Sequence, residues 1–348
     1  MDYRELGTGQ KISRVVRGGW QLAGGHGAVS PEEAIEDMTA FADAGITTFD
    51  CADIYTGVEE LIGAFRAAYA DRRGSEALSR IRVHTKFVPD LSQLKTITRP
   101  MVEAAIDRSL RRLGVERLDL IQFHWWDYAK PRWLDVAGWL ADLRKAGKIA
   151  NIGGTNFDTP RVIAMMEAGV PLVSMQLQYS LLDARPEKTM AAVARERGIS
   201  FLCYGTVAGG FLGERWLGRP EPQEALENRS LTKYKLIIDE FGGWETFQAL
   251  LAVLHRIAMR HGSDIATVAS RAILDRKGVA AVIVGARNGA HLASNCAIPD
   301  LEMTDADRAE IAAATGAAAL LPGDVYTLER DRTSRHGSIM KYELNAGT

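Results

Sequence analysis

TTFDCADIYT (residues 47–56) opens like a strand and then departs from one. Thr47, Thr48, Phe49 and Cys51 suit a pleated, half-buried surface, yet the same ten residues also carry Asp50, Asp53 and Tyr55. Carboxylates are rarely buried without a partner, so a strand ending in Asp50 asks for one. Seven other apolar runs have similar strand character: VVRGGW (15–20), IRVHTKF (81–87), LDLIQFHW (118–125), IANIGGTN (149–156), PLVSMQLQY (171–179), SFLCYG (200–205) and VAAVIVGA (279–286). Helix-length amphipathic segments separate most of them. SPEEAIEDMTAFADAG (30–45) has a serine cap, a proline at the first helical position, acids in the first turn and a terminal glycine. TRPMVEAAIDRSLRRLG (98–114) and DTPRVIAMMEAG (158–169) repeat that punctuation.

Eight strands alternating with helices predict a parallel sheet, and eight such units fit a closed (β/α)8 TIM barrel better than an open doubly wound sheet. The reading is of one barrel domain over residues 1–348, with a Gly-, Pro- and charge-rich loop at 206–243 after the seventh strand and a charged tail at 320–348. Gly7-Thr-Gly9 and Gly25-His-Gly27 both lack the third glycine of the open dinucleotide-binding fingerprint. There is no P-loop, no His-Glu-x-x-His and no Gly-x-Ser-x-Gly.

A net charge of −2 and the lack of any long like-charge block argue against an electrostatic nucleic-acid or membrane binder. Three scattered cysteines, Cys51, Cys203 and Cys296, give neither a disulfide framework nor a zinc cluster. MDYRELGTGQ lacks a signal pattern and no apolar run is long enough to span a bilayer. A reduced, cytoplasmic protein is expected, and Asn228-Arg-Ser is then a sequon in form only. Monomer and homo-oligomer remain equally open.

Barrel interiors are usually apolar, and barrel chemistry collects at the C-terminal strand ends. Here Arg82, His84 and Lys86 share one strand face, Gln122 and His124 another, Ser174, Gln176 and Gln178 a third, and Thr48 and Asp50 a fourth. These polar faces should converge in the barrel mouth. Lys86 alone would read as a snorkelling surface residue, and His124 alone as a satisfied core histidine. Asp, Lys and His buried together are costly unless they pair. With Asp50 as partner, Lys86 stays charged and favours the phenolate of Tyr55, which brings that phenol toward working range. His124, as a neutral imidazole, is expected to donate to a substrate oxygen. Asp53 has no evident partner and is expected at the surface or capping a turn.

FDCADIY, HTKF and IQFHWW, in that order, resemble the aspartate-to-tyrosine, lysine and histidine motifs of the aldo-keto reductase superfamily, and the likeness runs from YRELGTG at residue 3 to about residue 297. The resemblance implies a catalytic tetrad of Asp50, Tyr55, Lys86 and His124. It also implies hydride transfer between a bound nicotinamide and an aldehyde or ketone, with the tyrosine protonating the alkoxide. By the same resemblance Gly19, Trp20 and Asp50 approach the cofactor, and Thr155, Asn156 and Gln176 hold its carboxamide. Tyr204 stacks on the nicotinamide, and the loop carrying Gly205, Thr206, Gly210 and Leu212 crosses the pyrophosphate. VGARNGAHLASN (284–295) supplies Gly285, Arg287, Asn288, His291 and Asn295 to the adenosine phosphate. Trp20, Tyr55, His124 and Trp125 are expected to line the substrate pocket.

The departures from the pattern are Thr155 for serine, Ser294 for an acid, and His291 where arginine or glutamine is common. Arg287 offers a planar fork to a 2′-phosphate, which favours NADPH over NADH, though NADH stays possible. A small-molecule carbonyl substrate is the expected partner, with neither nucleic acid nor membrane involved. In the tail, Tyr326, His336 and Met340 are candidate pocket contacts, but a surface tail is the expectation for each. Two other readings fit parts of the pattern: a cofactor-binding regulatory subunit with slow or vestigial turnover, and a Schiff-base enzyme using Lys86 as nucleophile.

Overall fold

The computed structural model describes residues 1–24, 27 and 30–345. Gly25 and His26 of the Gly25-His-Gly27 run, and the last three residues of the tail, lie outside them. Eight parallel strands close a barrel: β3 (Val15–Gly18), β4 (Thr48–Asp50), β5 (Arg82–Phe87), β6 (Leu118–Phe123), β7 (Ile149–Thr155), β8 (Leu172–Gln178), β9 (Ser200–Tyr204) and β10 (Val279–Gly285), with β10 returning to β3. The eight strands expected from the sequence are these eight.

Alternation along each strand sorts the side chains into two environments. Val15, Phe49, Val83, Ile121, Met175, Phe201 and Val282 face outward into a large apolar cluster shared with the helices. Val16, Leu120, Leu202, Ala281 and Ile283 face inward and meet Leu6 and Ile12. Those last two come from a hairpin outside the eight expected strands, β1 (Tyr3–Leu6) paired antiparallel with β2 (Gln10–Ser13). It plugs the N-terminal end of the barrel. Gln10 donates to the Asp119 carbonyl at 2.5 Å, and the Thr8 amide donates to Asn151 Oδ1 at 3.1 Å. Burying Leu6 and Ile12 contributes about 1.5–3 kcal/mol each. The lower barrel is thus greasy and sealed, which leaves the polar side chains of the upper barrel as its working end.

The surrounding helices are α1 (Pro31–Asp43), α2 (Val58–Leu78), α3 (Arg99–Leu113), α4 (Trp133–Lys145), α5 (Thr159–Glu167), α6 (Met190–Arg197), α7 (Arg229–Phe241), α8 (Gly243–Arg260), α9 (Ile265–Leu274), α10 (Leu292–Ala297), α11 (Asp305–Gly316) and α12 (Thr327–Arg330). Ser30 and Asp158 cap α1 and α5 by accepting from the amides of Glu33 and Arg161. Thr98 precedes α3 without a side-chain cap, so the punctuation read there marks the start through Pro100 rather than through the threonine. Among the described residues no helix is long and apolar enough to cross a membrane.

Two expectations are corrected. The 206–243 segment is not one loop, because Asn228 caps α7 from within it by accepting from the Leu231 amide at 3.0 Å. Leu231, Tyr234, Ile237, Ile238 and Phe241 give that helix a buried stripe. Nor is the tail a surface appendage: Tyr326 and His336 are buried, and α12 lies within it.

A buried ionic network anchors the tail. Arg185 donates to Asp183 at 2.9 and 2.7 Å and to both carboxylate oxygens of Glu329 at 3.0 Å, and all three side chains are almost fully excluded from solvent. Gln178, at the end of β8, donates to Asp183 at 2.7 Å. Farther along, Asp90 accepts from the amides of Leu344 and Asn345. The tail is therefore tied down on both sides of the barrel mouth.

Burial raises the Glu329 carboxyl, but Arg185 outweighs it and holds the group at about 2. A carboxyl held below its ordinary value contributes stability that is complete above that value and is lost as pH falls through the folded one. Tail docking should therefore weaken between the ordinary value of 4.5 and about 2, which acid titration with limited proteolysis of the tail will read. Glu329→Gln should remove this acid dependence and destabilise the protein at neutral pH by about 3–5 kcal/mol, the cost of breaking a buried pair.

Candidate functional site

The register of the parallel strands brings the polar ends to one level. Asp50 lies opposite His84, Lys86 opposite Gln122, and Thr155 opposite Gln176. Lys86 Nζ donates to Asp50 Oδ2 at 2.6 Å and to the Cys51 carbonyl at 2.7 Å. The other oxygen, Asp50 Oδ1, accepts from Gln122 at 3.0 Å and Gln176 at 2.6 Å. The partner that Asp50 demanded is thus a lysine and two amides. Gln122 joins the site residues through this contact, and its spacing two residues before His124 on the same strand face is the signal in the sequence.

Lys86 Nζ sits 4.8 Å from the centre of the Tyr55 ring, and Trp20 packs against that ring edge-on with centroids 5.1 Å apart. Burial works to lower Lys86, yet Asp50 and Tyr55 together push it above the ordinary lysine range, so the ammonium is secure. Tyr55 responds differently from expectation. Burial raises its phenol more than Lys86 lowers it, and the net shift is upward. The phenol consequently keeps its proton. Lys86 lies where it stabilises the phenolate that forms once that proton has left.

His124 is also corrected. Its Nδ1 lies 3.0 Å from the Thr155 carbonyl, and a carbonyl only accepts, so Nδ1 carries the hydrogen. Burial, then the charge of Arg330, lowers the ring to about 3. A neutral ring protonated at Nδ1 presents a bare Nε2, which is buried and has no partner among the described residues. His124 thus offers the site an acceptor where a donor was expected.

Trp125 is not a pocket wall. It is fully buried, packs on Phe123 and donates from Nε1 to the carbonyls of Asp127 and Lys130. The neighbouring Trp126 takes the expected place, edge-on to His124 with centroids 4.3 Å apart. Tyr326, held in a left-handed conformation with φ 59°, faces His124 from the other side at 5.8 Å. Arg330 donates to the carbonyls of Trp125, Trp126 and Asn156.

Asp53 is likewise neither exposed nor a simple turn cap. It is buried and accepts from the Val88 amide with both oxygens at 3.2 Å, while its own amide donates to the Lys86 carbonyl. Burial pushes its carboxyl well above the usual range. It fastens the loop carrying Tyr55 to the strand carrying Lys86.

The remaining residues form a path from the mouth outward. Gly19 donates to the Asp50 carbonyl at 2.7 Å, and a Cβ there would lie 2.8 Å from the same oxygen, so only glycine lets the two strand ends meet. Thr155 is buried, and Asn156 adopts φ 59° with its Oδ1 accepting from Tyr204 at 2.8 Å. Gly205 is overlain by Tyr234, whose hydroxyl would be 2.2 Å from a Cβ. Thr206 is turned away to share a hydrogen bond with Ser270, and Leu212 is buried in the core with its amide on Val207, so neither side chain faces the mouth. Gly210 is exposed at φ 101°. Gly285, Arg287, Asn288 and His291 are exposed, and Asn288 accepts from the Ala290 amide. Asn295 is buried with an unpartnered Nδ2. Among the described residues the Asn295 Nδ2 has no hydrogen-bond partner, and with the exposed Arg287 and Gly210 it fits a dinucleotide lying from Asn295 toward Tyr204.

The aldo/keto reductase family model matches residues 14–315. Among curated relatives, Bacillus subtilis (strain 168) aldo-keto reductase YhdN is 27% identical over 323 residues, covering 89% of this chain and 92% of its own. Escherichia coli (strain K12) protein tas is 28% identical over 304 residues, covering 77% and 85%. Chlamydomonas reinhardtii flagellar radial spoke protein 5 is 27% identical over 300 residues, covering 69% of this chain and 56% of its own. The glycerol dehydrogenase AKR11B4 from Gluconobacter oxydans superposes with a TM-score of 0.76 at 23% identity, covering 93% and 98%, a likeness of fold.

The two tryptophans can be told apart by stability. Trp125→Ala should cost about 3–5 kcal/mol in chemical denaturation, as for a large core side chain. Trp126→Ala should cost less than about 1.5 kcal/mol, the scale of an aromatic contact.

Proposed function

The chain belongs to the aldo/keto reductase family of oxidoreductases, and from that premise we propose that it exchanges a hydride between NADPH and an aldehyde or ketone, with Tyr55 as general acid. The observation that carries this reading is the Lys86 ammonium, 2.6 Å from Asp50 and 4.8 Å from the Tyr55 ring centre. When bound, the nicotinamide supplies or takes up the hydride. Tyr55 gives its proton to the oxygen of the reduced carbonyl, and Lys86 balances the phenolate that remains. Asp50, fixed by Gln122 and Gln176, keeps Lys86 aimed. His124 accepts through Nε2 from a hydroxyl, either that of the product alcohol or one next to the carbonyl. Trp20 and Trp126 exclude water from the two flanks.

Arg287 is the residue that supports NADPH over NADH, since its exposed guanidinium offers a planar fork suited to a 2′-phosphate. Asn295 would meet the adenine end and Tyr204 the nicotinamide. A second reading, a cofactor-binding subunit with vestigial turnover, draws on the relative named for the flagellar radial spoke.

Tyr55→Phe should lower carbonyl reduction by about 10³-fold, the scale of lost general acid catalysis, while NADPH affinity, read by fluorescence quenching, stays within twofold. Loss of NADPH binding would mean that Tyr55 has another role. Unchanged turnover would mean that another group supplies the proton, and NADPH binding without turnover in the wild type would favour the second reading. Because the Tyr55 phenol is raised and His124 is neutral down to about 3, the reduction rate should be level from pH 6 to 9. A limb near the ordinary histidine value would contradict the assignment.

A further inference from the structure

One face of α7 turns toward the mouth. Lys233 Nζ stands 5.1 Å from the ring centre of Tyr204, 5.5 Å from that of Tyr234 and 5.6 Å from that of Tyr326. Arg229, one helical turn earlier, holds its guanidinium carbon 5.9 Å from the ring centre of Trp20. Trp20 and Tyr326 are the rings that touch Tyr55 and His124, so both cations border the proton-transfer site itself.

These charges are not balanced locally. Among the described residues neither Lys233 nor Arg229 forms an ion pair with a carboxylate. The nearby Glu329 and Asp183 are both engaged by Arg185 and leave a single negative charge between them. Asp50 is matched by Lys86, and Arg330 spends its donors on backbone carbonyls. Tyr204, Tyr234 and Tyr326 are all raised by burial and stay neutral. Aromatic faces attract a cation without neutralising it, so Lys233 and Arg229 are held in place, and their two positive charges exceed the single negative charge left on the Asp183, Arg185 and Glu329 network. Burial lowers both of them and outweighs the pull of Glu329 and Asp183 on Lys233, so each gains from a further negative partner brought into the mouth.

We propose that Lys233, supported by Arg229, makes the pocket selective for carbonyl substrates bearing an anionic group, a carboxylate or a phosphate, on the carbon chain. The alternative source of negative charge is the pyrophosphate of the cofactor. Tyr204 and Tyr234 border Lys233 from the cofactor side, but Tyr326 and Trp20 bring the two cations to the rings that flank Tyr55 and His124, and this placement favours the substrate. The inference rests on the reductase reading above.

The test compares succinic semialdehyde with butyraldehyde, an uncharged aldehyde with a chain of equal length, using NADPH. Wild type should prefer the anionic aldehyde in kcat/KM by at least tenfold, with the preference falling as salt rises. Lys233→Met should erase the preference by raising KM for succinic semialdehyde alone, and Lys233→Arg should restore it. Butyraldehyde turnover and NADPH affinity should stay within about twofold throughout. Equal losses on both aldehydes with weakened NADPH binding would assign the cation to the cofactor and overturn the proposal, as would a wild type without charge preference. Failure of wild type to turn over any aldehyde would refute the reductase reading instead. If Lys233→Met fails to fold, Arg229→Gln must reduce the preference on its own.

Discussion

The upper half of the barrel is organised around one contact, the 2.6 Å ion pair between Lys86 and Asp50. Both side chains are almost entirely removed from water, and neither charge would be affordable there alone. Two glutamine amides complete the coordination of Asp50, and the Cys51 carbonyl completes that of Lys86. Because these donors come from β5, β6 and β8 and the acceptors from β4 and the residue after it, the pair works only if the strand register is right. The inner hairpin plug and the alternating strand faces supply that register. Tyr55 is then held over a fixed positive charge by a loop that Asp53 fastens from below.

Burial and charge act against each other at Lys86 and Tyr55 and together at His124, and the balance decides each case. At Lys86 the partner wins and the charge stays. At His124 no anion answers the loss of solvent, and the ring is neutral. At Tyr55 burial exceeds the pull of Lys86 and the proton stays on oxygen until the chemistry demands it. A donor retained in this way suits an oxyanion that becomes strongly basic on receiving hydride. In the proposed reaction the ammonium would act on the tyrosinate, which is where its stabilisation counts toward the barrier.

The barrel was legible because period-two alternation and cap-proline-glycine punctuation are local signals. Lys86, Asp50 and His124 were legible because polar residues on inward strand faces have few structural explanations. What escaped was set by packing at a distance. Trp125 and Trp126 are neighbours with the same chemistry, and only the turn after β6 decides which one enters the core. Asp53 looked free because its partner is the amide of Val88, a backbone group with no sequence signature. The stripe of α7 at Leu231, Tyr234, Ile238 and Phe241 was readable, but the polar segment before it drew the whole stretch into a loop. The tail depends on Glu329 finding Arg185 across 144 residues, which no local pattern reveals.

The direct test of this account is the titration of Tyr55 itself. With tyrosines labelled by ¹³C at Cζ and the Tyr55→Phe variant used to assign the signal, the chemical shift of Tyr55 should show a phenol that stays protonated past 10, the ordinary tyrosine value. Replacing Lys86 by Met should move that titration still higher. A Tyr55 signal that titrates near neutrality would contradict the claim that burial outweighs the lysine and leaves a held proton at the centre of the site.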